Sequence, residues 1–181
     1  MKRYKVHSKT TSCFFSSLTI TDWVPVFQND KYFDIIIDNL QYCRENKGLL
    51  LLGYVIMPTH LHVITMHNNK TTLSDLMRDF KSYTSKEISK QMSSDGKEWY
   101  LKKFKSAACP FSKQRYKVWQ DGFHPISILS TKWFSEKVYY IHYNPVRKGF
   151  VENPEYWKYS SARNWLMDDN RVIEIDKIMI I

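Results

Sequence analysis

The order of strand-like and helix-like segments in this chain predicts an α+β fold of the ferredoxin-like kind, a mostly antiparallel central sheet covered by helices. Three observations predict it. Two strand-like runs at 49–57 and 60–66 are separated only by Pro58 and Thr59, so they pair as an antiparallel hairpin. An amphipathic helical pattern stands on either side of that hairpin. No glycine-rich phosphate loop is present, which argues against a parallel nucleotide-binding sheet.

Residues 14–21 are rich in β-branched and aromatic side chains and read as a first strand. Asp30 then caps a helix whose stripe is Tyr32, Phe33, Ile36, Ile37 and Leu40, ending near Gly48. Residues 49–57 are almost continuously apolar, the pattern of a central strand covered on both faces. After a polar turn at 67–72, Leu73, Leu76, Met77, Phe80 and Tyr83 mark a long amphipathic helix. Residues 97–118 are basic and read as irregular, and a short strand is expected within 122–129. Ser130 or Thr131 caps a helix over 132–143 that Pro145 ends, and one more short helix is expected within 155–165. Residues 1–165 are read as a single domain and 166–181 as a tail, either covering a sheet edge or contacting a partner subunit.

A chain of 181 residues with 43% hydrophobic side chains supports one buried core and excludes a disordered protein. Its net charge of +9 and isoelectric point near 9.4 favour a polyanionic partner, since a basic surface gains from phosphate contact and counterion release. No apolar run reaches membrane-spanning length, so the expectation is a cytoplasmic protein with no membrane partner. Cys13, Cys43 and Cys109 lack zinc or redox spacing and are read as free thiols.

His60 and His62 stand two apart on a predicted strand, so both imidazoles project from one face and are able to grip one divalent ion. A pair of merely hydrogen-bonded histidines gives the same spacing. Tyr140 and Asn144 stand four apart at the end of a predicted helix, offering a phenol and an amide side by side, although aromatic residues on a helix also serve as core. Between these elements, cations at 97–119 alternate with Trp99, Tyr100, Phe104, Phe111, Tyr116 and Trp119, a composition suited to phosphate contact and base stacking. Arg78, Lys81, Lys102, Lys103, Lys105, Arg115, Lys117 and Trp119 are the candidate DNA-binding residues, and Lys113 shares that basic run. His124 is read as structural or DNA-contacting, and His142 as lying off the Tyr140 face.

YVIMPTHLHVI, then WQDGFH, then YIHYNPVRKGFVENPEYWKYSSA occur in that order, and on this set the chain resembles, over about 4–165, the single-domain HUH transposases, in particular their REP-associated tyrosine branch. The resemblance implies that His60 and His62 bind a divalent metal, Mg2+ or Mn2+, and that Tyr140 is the nucleophile. It implies Asn144 as third ligand, at a position where insertion-sequence transposases often carry Gln. It further implies a single-stranded or hairpin DNA substrate, a 5′-phosphotyrosine intermediate and a homodimer. Two other readings stay open here: a regulator that binds hairpin DNA or RNA without cutting, and a nuclease in which water attacks.

Overall fold

The computed structural model describes residues 13–67, 71–110 and 114–177. Among the described residues four strands form one sheet: β1 (Phe14–Thr19), β2 (Leu49–Met57), β3 (His60–His67) and β4 (Ile126–Ser127). Their order is β2-β3-β1-β4, with every pairing antiparallel. The helices are α1 (Asp30–Lys47), α2 (Leu73–Ser94), α3 (Glu98–Ala107), α4 (Thr131–His142), α5 (Asn144–Arg147) and α6 (Ala162–Met167). Because α1 leads from β1 to β2 with β3 inserted between them, the order is that of the ferredoxin-like fold.

Strand alternation divides the core. Leu18, Tyr54, Ile56, Leu61 and Val63 face a layer made by α1 and α2, where Ile36, Leu40, Leu76 and Phe80 are fully buried. Phe15, Leu52, Val55 and Ile64 face the opposite way and meet Ile141 of α4. β2 therefore has no polar face, as its continuous apolar run predicts. A register shift between Leu51 and Gly53 bends β2 where α4 crosses it. A Cβ on Gly53 would lie only 3.0 Å from Ile141 Cδ1, so the glycine lets this helix close on the strand.

The outer edge of β2 is sealed by the C-terminal part of the chain. Ile56 N–H donates to Tyr159 O at 2.9 Å, Ser161 N–H to Tyr54 O at 2.9 Å, and Asp176 N–H to Leu51 O at 2.7 Å. Of these three bonds the one from Asp176 belongs to the tail; residues 178–181 lie outside the described set. All three cysteines are free. Among the described residues no helix is long and apolar enough to cross a membrane.

Three segments differ from expectation. Residues 98–107 form α3 instead of irregular chain, because Tyr100, Leu101 and Phe104 make an apolar stripe that the surrounding lysines obscure. The strand within 122–129 shrinks to Ile126–Ser127, since Gly122 is left-handed at φ 84° and Pro125 has no N–H to donate. The expected helix within 155–165 splits into a 3-10 turn at Pro154–Tyr156 and α6, because the chain between them bonds to the β2 edge. At its own end α4 stops at His142, and Pro145 sits in the first turn of α5, where a missing N–H costs nothing.

Candidate active site

The alternation of β3 that buries Leu61 and Val63 against α1 and α2 turns His60 and His62 toward the α4 side. Their ring centroids are 4.7 Å apart. Each Nδ1 is tied back by a hydroxyl: His62 to Ser17 Oγ at 2.7 Å across the β1 pairing, and His60 to Thr59 Oγ1 at 2.9 Å within the hairpin turn. With the proton on Nδ1 and donated to that hydroxyl, Nε2 of each ring carries the lone pair a cation would accept. Burial lowers His60 to about 4, with Lys148 adding to the effect. Burial first, then His60, Lys137 and Arg147, lowers His62 to about 3. Both rings are therefore neutral at neutral pH, the state a metal ligand needs.

On α4, Ser130 accepts the Trp133 N–H and so caps the helix, while Phe134, Val138 and Ile141 pack on the sheet. That anchoring fixes the helical phase of Tyr140. Its ring meets His62 edge-on at 5.4 Å between centroids and Phe15 at 5.9 Å, while the side chain stays 40% exposed. Tyr139 and Tyr143 stack on each other at 4.2 Å and have no ring contact with the histidines. Arg147 donates to the Tyr140 carbonyl at 2.6 Å and lies 4.9 Å from its ring centroid, and Lys137 Nζ lies 5.8 Å from the same centroid. Neutral histidines that feel the charges of Lys137, Arg147 and Lys148 make a positively charged face that attracts an anion such as a phosphate.

Asn144 opens α5 and is buried, with its carbonyl accepting the Lys148 N–H at 3.1 Å. Among the described residues no hydrogen bond joins its amide to either histidine, and no group of three or more His, Cys, Asp and Glu side chains comes together. The donor set available to a cation here is thus two imidazoles and, at most, a neutral third group.

Trp23 closes the His60 side. Its indole meets His60 edge-on at 5.7 Å. Asp22 and Trp23 are consecutive left-handed residues, φ 54° and 56°, a conformation that costs side-chain-bearing residues about 1–2 kcal/mol each. Asp22 is held by Lys103 at 2.7 Å, which ties α3 to this turn.

The chain matches the family model described as "Transposase IS200 like" over residues 24–144. It belongs to the IS200-like transposase family. Its structure is similar to that of a REP-associated tyrosine transposase bound to a REP hairpin, at TM-score 0.64 and 19% identity, covering 99% of this chain and 93% of that one. A putative transposase from Deinococcus radiodurans is more distant, at TM-score 0.46 and 15% identity over 77% of this chain and 95% of that one. No curated protein matches the sequence.

In this IS200-like transposase His60, His62 and Tyr140, predicted from distant motifs, come together, and His142 is withdrawn from them. Its Nε2 pairs with Ser161 Oγ at 2.9 Å, and burial lowers it to about 4. His124 lines a cleft of about 250 Å3 that begins at Phe15 and Ser17. A larger cleft of about 650 Å3 lies between α1 and α2, on the other side of the sheet from the histidines.

The predicted DNA track fares unevenly. Trp119 is 3% exposed and donates its indole N–H to Thr84 Oγ1 at 2.9 Å, so it is core and offers no face to a base; Phe104 is likewise buried. Lys81 is half-buried and donates to the carbonyls of Gln120 at 2.6 Å and Gly122 at 3.1 Å, which makes it a brace for that loop. Arg78 pairs with Asp75 and Asp79, Lys103 with Asp22, and Lys117 with Asp121. Lys102 meets Glu98 at 3.8 Å, Arg115 lies over Tyr116 at 5.2 Å, and Lys105 is exposed. Phe111 and Lys113 lie outside the described residues. Sequence reasoning missed Ser17, Thr59, Trp23, Lys137, Arg147 and Lys148. For Lys137 and Arg147 a signal existed, since they stand three before and seven after Tyr140 on its helical face.

Proposed function

We propose that this transposase cleaves and rejoins single-stranded DNA, with Tyr140 as the covalent nucleophile and a divalent cation, Mg2+ or Mn2+, at the histidine pair. What supports the reading is one observation: Tyr140 and His62, 78 positions apart in sequence, lie 5.4 Å apart ring to ring in a single chain. The neutral, back-tethered imidazoles fit a metal, and His60 and His62, with the amide of Asn144 as the third ligand we assign, are the residues that would hold it. Such an ion supplies charge neutralisation at the nonbridging oxygens of a phosphodiester.

The chain's own side chains do the rest. Lys137, Arg147 and Lys148 draw the phosphate to the histidine face. Arg147, bonded to the Tyr140 carbonyl, also fixes the end of α4 and hence the phenol. The phenolic oxygen forms a bond to phosphorus as the P–O3′ bond breaks, and the phenol proton is exchanged for one on the departing 3′ oxygen. One phosphodiester becomes one 5′-phosphotyrosyl ester, so a 3′ hydroxyl attacking in reverse reseals the strand without a nucleotide cofactor.

Hairpin DNA is the substrate we favour, since the similarly folded REP-associated transposase was solved with a REP hairpin. Lys102, Lys105 and Arg115 are the cations we assign to the strand beyond the site, with Arg78 and Lys117 exchanging their carboxylates for phosphate, while Lys103 stays on Asp22. A homodimer would serve two DNA ends, with each site drawing Tyr140 and both histidines from one chain.

A nicking assay on 3′-labelled single-stranded hairpin DNA with Mn2+ tests the proposal. The expected result is a covalent protein–DNA band that Tyr140→Phe abolishes. No adduct from the unaltered protein would leave a non-cleaving binder, and strand cleavage surviving in Tyr140→Phe would assign the attack to water.

A further inference from the structure

We infer that Trp23 is the stacking platform for the base on the 5′ side of the scissile phosphate, and that it retains the 3′-hydroxyl end for rejoining. The inference rests on the reaction proposed above and adds a residue that sets which fragment stays bound.

Four rings run in order across the site: Trp23 against His60 at 5.7 Å, His60 against His62 at 4.7 Å, and His62 against Tyr140 at 5.4 Å. The phenol and the indole therefore flank the histidine pair. An in-line displacement sends the leaving oxygen away from the nucleophile. With attack from the Tyr140 side, the departing O3′ and its nucleoside exit toward His60 and Trp23.

Trp23 is built to meet a base. It is 58% exposed, so most of the indole is not employed in the core. A large apolar ring held in solvent by two successive left-handed residues needs a reason, because both Asp22 and Trp23 adopt backbone angles that L side chains avoid. The turn is fastened on every side: Thr21 N–H donates to Val118 O at 2.8 Å, Thr21 Oγ1 to Lys117 O at 2.8 Å, and Trp23 N–H to Ile20 O at 3.0 Å. Lys103 pins the Asp22 carboxylate at 2.7 Å. The backbone that carries the indole is thereby held in place beside His60, which lowers the order lost when a base stacks on it. Base–aromatic stacking tolerates any base, so the platform grips the strand without reading its sequence.

Retention matters because the 3′ end formed by cleavage carries no covalent link to the protein. Once lost, it leaves the phosphotyrosine with no partner for resealing.

The test uses the full chain and a hairpin oligonucleotide carrying 2-aminopurine at the base 5′ of the mapped cleavage position, or 3′ of it, with EDTA present so that binding is read without reaction. Binding of the unaltered protein and of Trp23→Phe should quench the 5′ probe, and Trp23→Ala should leave it bright while the 3′ probe responds alike in all three. With Mn2+, Trp23→Ala should still form the Tyr140 adduct, but the ratio of rejoined strand to adduct should fall about tenfold, the usual worth of one base–aromatic stack. A Trp23→Ala protein that quenches the 5′ probe fully, or rejoins as well per adduct as the unaltered chain, overturns the inference and leaves the reaction standing. Absence of any adduct from the unaltered protein removes the reaction and this inference together.

Discussion

The hydroxyls of Ser17 and Thr59 decide which nitrogen each histidine presents. Ser17→Ala should free the His62 ring to rotate and weaken Mn2+ binding about tenfold or more, measured by calorimetric titration. Unchanged affinity would mean that packing against Phe15, stacked on His62 at 5.4 Å, suffices to orient the ring. Burial also sets a pH response. His60 and His142 are lowered to about 4 and His62 to about 3, each from an ordinary 6.5. The folded-state values lie below the unfolded one, so the stabilisation from keeping these rings neutral is complete above about 6.5 and is lost progressively as pH falls toward 4. Thermal melting in metal-free buffer should give a constant Tm from pH 7 to 8 and a fall of several degrees between pH 6.5 and 4.5. A flat profile across that window would show that the rings are hydrated in solution.

At the scale of elements, the position of Tyr140 depends on how closely α4 lies on β2. Gly53 sets that distance, since an added Cβ would stand 3.0 Å from Ile141 Cδ1 and 3.4 Å from Ser161 Oγ. Gly53→Val should lower stability by about 1–3 kcal/mol, and, by shifting α4, reduce adduct formation much more than DNA binding. Equal losses in both would point to general unfolding. Ser130→Ala removes the α4 cap and should cost about 1 kcal/mol, read by denaturant titration. The continuous apolar run of β2, buried on both faces, and the helical stripes of α1, α2 and α4 made those elements readable, and the shortness of the turn at Pro58 and Thr59 made β3 so. α3 escaped notice since its lysines outnumber the residues it buries, and Trp119 was misjudged because a tryptophan among cations gives no sign of which way its ring turns. The left-handed turn at Asp22 and Trp23 has no glycine or asparagine to announce it.

Across the whole molecule, the antiparallel order β2-β3-β1-β4 carries His60 and His62 to the face that α4 crosses, and so joins residues 60–62 with 137–148. Motif spacing foretold the histidine pair and the tyrosine as separate units. The gathering of Lys137, Arg147 and Lys148 around them depends on how α4 and α5 dock, which is a property of tertiary packing. The net charge of +9 is spread widely, and many of its cations are paired with carboxylates, so total charge says little about the number of phosphates contacted. Affinity for single-stranded DNA should decrease with salt, and Arg147→Gln should reduce the slope of log K against log salt by about 0.7, the value for one phosphate contact on a single strand. An unchanged slope would remove Arg147 from the phosphate path. The most direct measurement is peptide mass spectrometry of the denatured adduct formed on hairpin DNA with Mn2+. The predicted result is a nucleotide 5′-phosphate attached to Tyr140; attachment at Tyr139 or Tyr143, or cleaved DNA with no modified peptide, would contradict the account.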